Sequence, residues 1–191
     1  MQPWMWAVIV IVAVIIIAAI AWSVYVRRRR EGLRDRFGPE YGHVVDETGS
    51  ERKAASVLEE RQERVDNLDI HPLTPDEADR FSARWREVQA KFVDNPQLAT
   101  GEADDLVQQV MGARGYPVAD FETRAADISV HHPTVVEHYR SAHAVADQAF
   151  RGEASTEDLR QALIHYRALF EDLLETTPGA RRGEDRVRRA S

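Results

Sequence analysis

Residues 4–26 contain no charged side chain, and Arg27, Arg28, Arg29 and Arg30 follow at once. As a helix rising about 1.5 Å per residue, this run is about 34 Å long, more than the roughly 30 Å of a hydrocarbon core. Trp4 and Trp6 stand near one end, and Trp22 and Tyr25 near the other. Amphipathic rings of this kind settle where lipid meets water. The expectation is a transmembrane helix over residues 4–26. Its interface residues are Trp4, Trp6, Trp22, Tyr25 and the four arginines Arg27, Arg28, Arg29 and Arg30.

The flanking charges predict sidedness, because basic residues beside a membrane helix are retained in the cytoplasm. Arg34 and Arg36 add to the four arginines, whereas residues 1–3 carry no Lys or Arg. The predicted topology is single-pass in the cytoplasmic membrane, with a short N-terminus (1–3) outside and the C-terminal domain in the cytoplasm. A cleaved secretory signal is the competing expectation, since Ala19-Ile20-Ala21 offers a small-x-small site. Against it stand the missing basic n-region, the length of the apolar run and the arginines just beyond the cut.

Charge is distributed unevenly along the chain. The formal total is −7, yet residues 27–36 set six Arg against Glu31 and Asp35, and residues 181–189 set five Arg against Glu184 and Asp185. The remainder therefore carries −14. An acidic body is a poor duplex binder, which needs clustered Lys and Arg on a folded face, so no nucleic-acid partner is expected. There is no cysteine, which removes disulfides, thiolate nucleophiles and cysteine-built metal sites.

Beyond the arginines the pattern is helical. Residues 27–50 read as a basic juxtamembrane linker with a turn at Gly38-Pro39. Residues 51–71 read as a charged stalk or edge helix with sparse apolar marks at Ala54, Leu58, Val65 and Leu68. A bundle of four or five antiparallel helices is expected over 72–176, and a disordered basic tail over 177–191.

Within the bundle, Thr74, Pro75 and Glu77 form a helix start with a capping box. Ala78, Phe81, Trp85, Val88 and Phe92 give the stripe of that helix. Asn95-Pro96 starts the next, striped by Ala99, Ala103, Leu106, Val110 and Ala113. Val118, Phe121, Ala125 and Ile128 mark a shorter one. His132-Pro133 reads as a further start, with Val136, Tyr139, His143, Ala146 and Phe150 on one face. Ser155 caps the last helix, whose seam is Leu159, Leu163, Tyr166, Phe170 and Leu173, with the small Ala162 beside it. No segment alternates with period two, so the fold class is all-α, an N-terminal transmembrane helix followed by this bundle.

Seven histidines invite a metal reading, four of them at positions 131, 132, 138 and 143. His138 and His143 are five apart and so point to different faces of a helix, without the ligand spacing of a dedicated site. His143 and Asp147 sit at i and i+4 as a hydrogen-bonding pair, and His165 is expected in water beside Gln161 and Asp172. Glu102, Asp104 and Asp105 lack a calcium-loop pattern. No nucleophile elbow, phosphate loop or dinucleotide fingerprint occurs. No catalytic residue, cofactor or metal ligand is therefore assigned, and the chain is not expected to be an enzyme.

Five segments together carry a resemblance: RFGPEY at 36–41, RGYP at 114–117, RAAD at 124–127, HPTVVEHYRSAH at 132–143, and RGEASTEDLRQALIHYRALF at 151–170. The set resembles a group of uncharacterised bacterial single-pass membrane proteins. That likeness implies an N-terminal transmembrane helix and a helical cytoplasmic body, and it transfers no catalytic residue, cofactor or substrate. The functional expectation is a membrane-tethered interaction or scaffold module whose partners are the lipid bilayer and a protein or a second copy of itself. The surfaces proposed for it are residues 114–127 and the sparse seam of 51–69. The alternatives are a small-ligand or enzymatic pocket near His143, and an exported domain released by cleavage after Ala21.

Overall fold

The computed structural model describes the backbone of residues 3–117 and 119–175, and side chains from residue 14 onward. Trp4, Trp6, Val118 and the expected tail at 177–191 therefore contribute nothing to the side-chain description below. Eight helices make up the described chain: α1 Pro3–Phe37, α2 Pro39–Thr48, α3 Glu51–Asp66, α4 Pro75–Lys91, α5 Pro96–Ala113, α6 Phe121–His131, α7 Val136–Phe150 and α8 Thr156–Leu174. Among the described residues there is no strand. The chain divides at Leu58 into two compact units.

In the first unit the segment read as a linker is helical instead. No Gly-Pro break or turn cluster separates Val26 from Phe37, so α1 runs through the arginines without interruption. Gly38 then turns the chain at φ 50°, a conformation natural to glycine, and Pro39 opens α2. Leu33, Phe37, Tyr41 and Val44 are buried along the end of α1 and the start of α2, as are Ala54 and Leu58 in α3. Among the described residues, no helix is long and apolar enough to cross a membrane.

The second unit holds the core. Its centre is α8, which packs on α7 and α5, while α4 covers α5 and α6 lies against α7. Ala162 is fully buried, and its lack of bulk suits a close helix approach. Trp85 of α4 stacks on Phe170 of α8 with ring centroids 4.6 Å apart. His138 of α7 pairs with His165, and His132, just ahead of α7, pairs with Asp172 further along α8, so α7 and α8 are antiparallel.

Local signals position these helices as the sequence predicts. The Thr74–Glu77 capping box forms, with Pro75 in the first turn, and Asn95 caps α5 through Leu98 N. Ser155 pairs with Asp158 in a second box, where the shorter Asp replaces the usual Glu or Gln. His132-Pro133 departs from expectation: α7 starts at Val136 without a side-chain cap. His132 instead ends α6, its N–H donating to Ile128 O at 2.8 Å.

The joint between α5 and α6 is tightly built. Gly115 has φ +92°, and a Cβ there would lie 2.1 Å from the Asp69 carbonyl oxygen. His71 N–H donates to Arg114 O at 3.0 Å, which fixes the strand of chain between α3 and α4 against this turn. Arg114 itself is fully buried, and one of its terminal nitrogens donates to Leu173 O at 2.8 Å. A guanidinium at the C-terminal end of α8 meets both an unsatisfied carbonyl and the negative end of the helix dipole.

Candidate functional site

The predicted interface residues on α1 are placed as follows. All side chains from Val14 to Tyr25 are exposed, and so are Arg27, Arg28 and Arg29. Trp22 and Tyr25 are neighbours on the helix, with ring centroids 6.2 Å apart. Arg30 is half-buried and donates to Glu51 Oε2 at 3.1 Å. Arg34 lies over the Tyr41 ring, 5.5 Å from its centroid, a cation–π contact. Arg36 turns its Nε into a buried position without a hydrogen-bond partner.

The bundle holds a polar group that the sequence reading touched only through His143 and Asp147. His143 stacks flat on Phe121, with centroids 3.7 Å apart, and its buried Nδ1 has no hydrogen-bond partner. The expected His143–Asp147 bond does not form, and Asp147 is exposed. Instead His143 lies near Asp104 of α5, whose Oδ2 accepts from Gln108 at 2.7 Å. Burial pushes the Asp104 carboxyl above its ordinary range, against the opposing influences of His143, Tyr166, Gln108 and Arg124.

Two tyrosines close this group. The Tyr166 hydroxyl is buried beside Asp104, although it makes no hydrogen bond of ordinary geometry, and burial pushes its pKa up strongly. Tyr139 accepts from Arg124 Nε at 3.2 Å. Burial, reinforced by the Asp104 charge, pushes Tyr139 up to about 12. Neither phenol is a base at neutral pH.

His131, His132, His138 and His165 each meet a side chain distant in sequence, whereas His43 and His71 are exposed. His138 and His165 meet through their Nδ1 atoms at 2.9 Å, so one must donate and the other accept. His165 is held below its ordinary value by burial first and by His138 second. His132 Nδ1 contacts Asp172, and His131 Nδ1 contacts the Tyr116 hydroxyl at 3.1 Å. Among the described residues, no group of three or more His, Cys, Asp or Glu is arranged to hold a metal ion. A groove of about 250 Å³ between α4 and α5 is lined by Arg84, Lys91, Glu102 and Gln109. Arg84 donates to Gln109 at 2.6 Å and Lys91 to Glu102 at 2.8 Å within it, and Glu87 and Asp105 also line it.

Within the two stretches expected to meet a partner, Arg114, Tyr116 and residues 125–127 are buried, and so are Ala54, Leu58 and Val65 of the sparse seam, whereas Pro117, Asp120 and Glu122 are exposed. Asp127 is only 1% exposed and accepts from Arg64 Nε at 2.8 Å, a tie between the last turn of α3 and α6. The apolar side chains left exposed on the bundle include Val93, Leu98 and Phe150, the last at 91%. Gln97 donates to Ala149 O at 2.9 Å, which brings Leu98 and Phe150 to the same end. No protein-family model, curated protein or solved structure matches the chain.

Proposed function

We propose that the chain is a membrane-tethered, non-enzymatic helical protein that serves as an interaction or scaffold module at the inner face of the cytoplasmic membrane. The residues ahead of the apolar run lie outside, and the helical domain lies in the cytoplasm. The observation that carries this reading is the exposure of every side chain from Val14 to Tyr25. Ile15, Ile16 and Ile17 succeed one another at about 100° per residue and so occupy roughly 200° of the helix circumference. One groove on a partner covers a narrower face than that, whereas lipid covers all of it. Each isoleucine left in water forgoes about 1.5–3 kcal/mol. The side chains of residues 4–13 continue the same uncharged run in sequence.

The interaction role draws on the end of the bundle that carries Val93, Leu98 and Phe150. Fractionation tests the tether: the full chain should remain in the membrane pellet after salt and carbonate washing, and Ile16→Asp with Ile17→Asp should release it. Recovery of the unaltered chain in the wash would sink the reading. Purification in detergent tests the module, since a clean monomer without any partner at native abundance would remove that part.

A small-ligand site at His143 is the second reading, favoured by its buried unpaired Nδ1 beside Asp104. A ligand that binds only the native state raises stability by mass action. An unchanged melting temperature across a panel of metals and small amines would remove this alternative.

A further inference from the structure

We infer that His138 and His165 form a two-histidine site for a divalent transition-metal ion, copper(II), nickel(II) or zinc(II), on the seam between α7 and α8. The inference goes beyond the membrane reading and does not depend on it. The two Nδ1 atoms are 2.9 Å apart. Imidazole nitrogens that share one ion, each about 2.0–2.1 Å from it at about the tetrahedral angle, stand about 3.3 Å apart. The ring centroids are 4.9 Å apart with planes inclined by 21°, so the rings are nearer at these nitrogens than at their centres. A separation wider by about 0.4 Å converts the hydrogen bond into a pair of metal ligands.

The surroundings suit an exchangeable ion. The histidines belong to two helices that pack on each other, so neither relies on a loop for its position. Both are half-buried, which leaves water room to complete the coordination. Two protein ligands are fewer than the three or four of a catalytic or structural zinc centre. Burial first and His138 second hold His165 below its ordinary value, which favours the neutral imidazole that a metal requires. Arg140 and Arg167 lie two positions along from the two histidines, about 200° round their helices. Arg140 stands 3.7 Å from Glu137, and Arg167 donates to Glu171 at 2.7 Å.

The chemistry of the donors selects the ion. Imidazole nitrogen suits copper, nickel and zinc, whereas magnesium and calcium prefer oxygen, and copper(II) binds a given nitrogen site most tightly. In the hydrogen-bonded pair one histidine carries its proton on Nδ1. On binding, that proton passes through water to the same ring's Nε2, so both imidazoles stay neutral and no net proton is released. The bound ion links α7 to α8 and stabilises the folded bundle by mass action.

The test uses the full chain in detergent, with copper(II) and zinc(II) as probes. Copper(II) should bind at one ion per chain, with an electron paramagnetic resonance spectrum split by two imidazole nitrogens, and zinc(II) should raise the melting temperature. His138→Gln and His165→Gln should each weaken copper binding by at least about tenfold, since even the loss of a supporting group costs that much. Each should also abolish the zinc shift. His43→Gln with His71→Gln, and separately His143→Gln, should leave both signals intact. Oxidation by copper(II) with ascorbate and air, mapped by peptide mass, should modify His138 and His165 before the other histidines, a readout that needs no variant. A spectrum without two imidazole nitrogens, or oxidation that begins at other histidines, overturns the inference. Signals that survive His138→Gln but vanish in His143→Gln overturn it too and place the ion at the His143 site instead.

Discussion

A single carbonyl oxygen explains why residue 115 is glycine. With φ +92° and a Cβ site 2.1 Å from Asp69 O, Gly115→Ala imposes a strained backbone and a backbone clash together. The expected loss exceeds about 3 kcal/mol, read as a lower urea midpoint of the detergent-solubilised chain. Gly152 is the control: its φ is +75°, but no atom lies within 4 Å of its Cβ site. Gly152→Ala should cost only about 1–2 kcal/mol, the left-handed penalty alone. Equal losses at the two positions would show that the Asp69 contact carries no weight.

Asp104 gives the opposite sign. Because burial raises its folded pKa above the ordinary 3.8, its proton stabilises the fold below that value. The contribution is lost as pH rises through the higher folded pKa. At neutral pH the ionised carboxylate is therefore a cost, and Asp104→Asn should raise stability there while removing part of the decline above pH 3.8. A destabilised variant with an unchanged pH profile would mean that the fold uses the charged form.

These residues also show where sequence reading stops. Gly115 is legible as a helix stop, but Asp69 approaches from 46 positions away in sequence. Arg114 opens the stretch expected to meet a partner and is in fact buried, its guanidinium donating to the Leu173 carbonyl near the end of another helix. His165 reads as solvated, and its partner His138 likewise arrives from another helix.

At the level of helices, starts are more legible than the last turns. Thr74, Asn95 and Ser155 act through atoms three residues away, so their roles are written locally. Ser155→Ala and Thr74→Ala should each cost about 1 kcal/mol, with little coupling between them, since they cap different helices. Periodicity, by contrast, places Phe150 on the core face of α7, yet it is 91% exposed. Phe150 is the last residue of α7, and the apolar period carries on to it although its side chain is left uncovered. Phe150→Ser should therefore change stability by less than about 0.5 kcal/mol. On α8, Ala162→Leu should lose about 1–3 kcal/mol by overpacking, because Ala162 is fully buried. A costly Phe150→Ser would mean that the last turn of α7 is covered in the native protein, which would turn attention to self-association.

For the chain as a whole, the distribution of charge matters more than its total. The bulk of the sequence is strongly acidic, so the positive-inside bias of the short segment after residue 26 has no rival on the same side. Acidic residues contribute little to topology, which leaves the arginines to set it. Replacing Arg27, Arg28, Arg29 and Arg30 with Gln removes most of the bias but leaves Arg34 and Arg36, so a mixed population is expected rather than a clean inversion. Placing four arginines ahead of Trp4 in that same variant should complete the inversion. A C-terminal reporter active only in the cytoplasm and another active only outside it would read both results. If the C-terminus stayed in the cytoplasm in both variants, sidedness would have to come from the folding of the acidic helices before insertion, and the arginines would be left with the lipid alone as their partner.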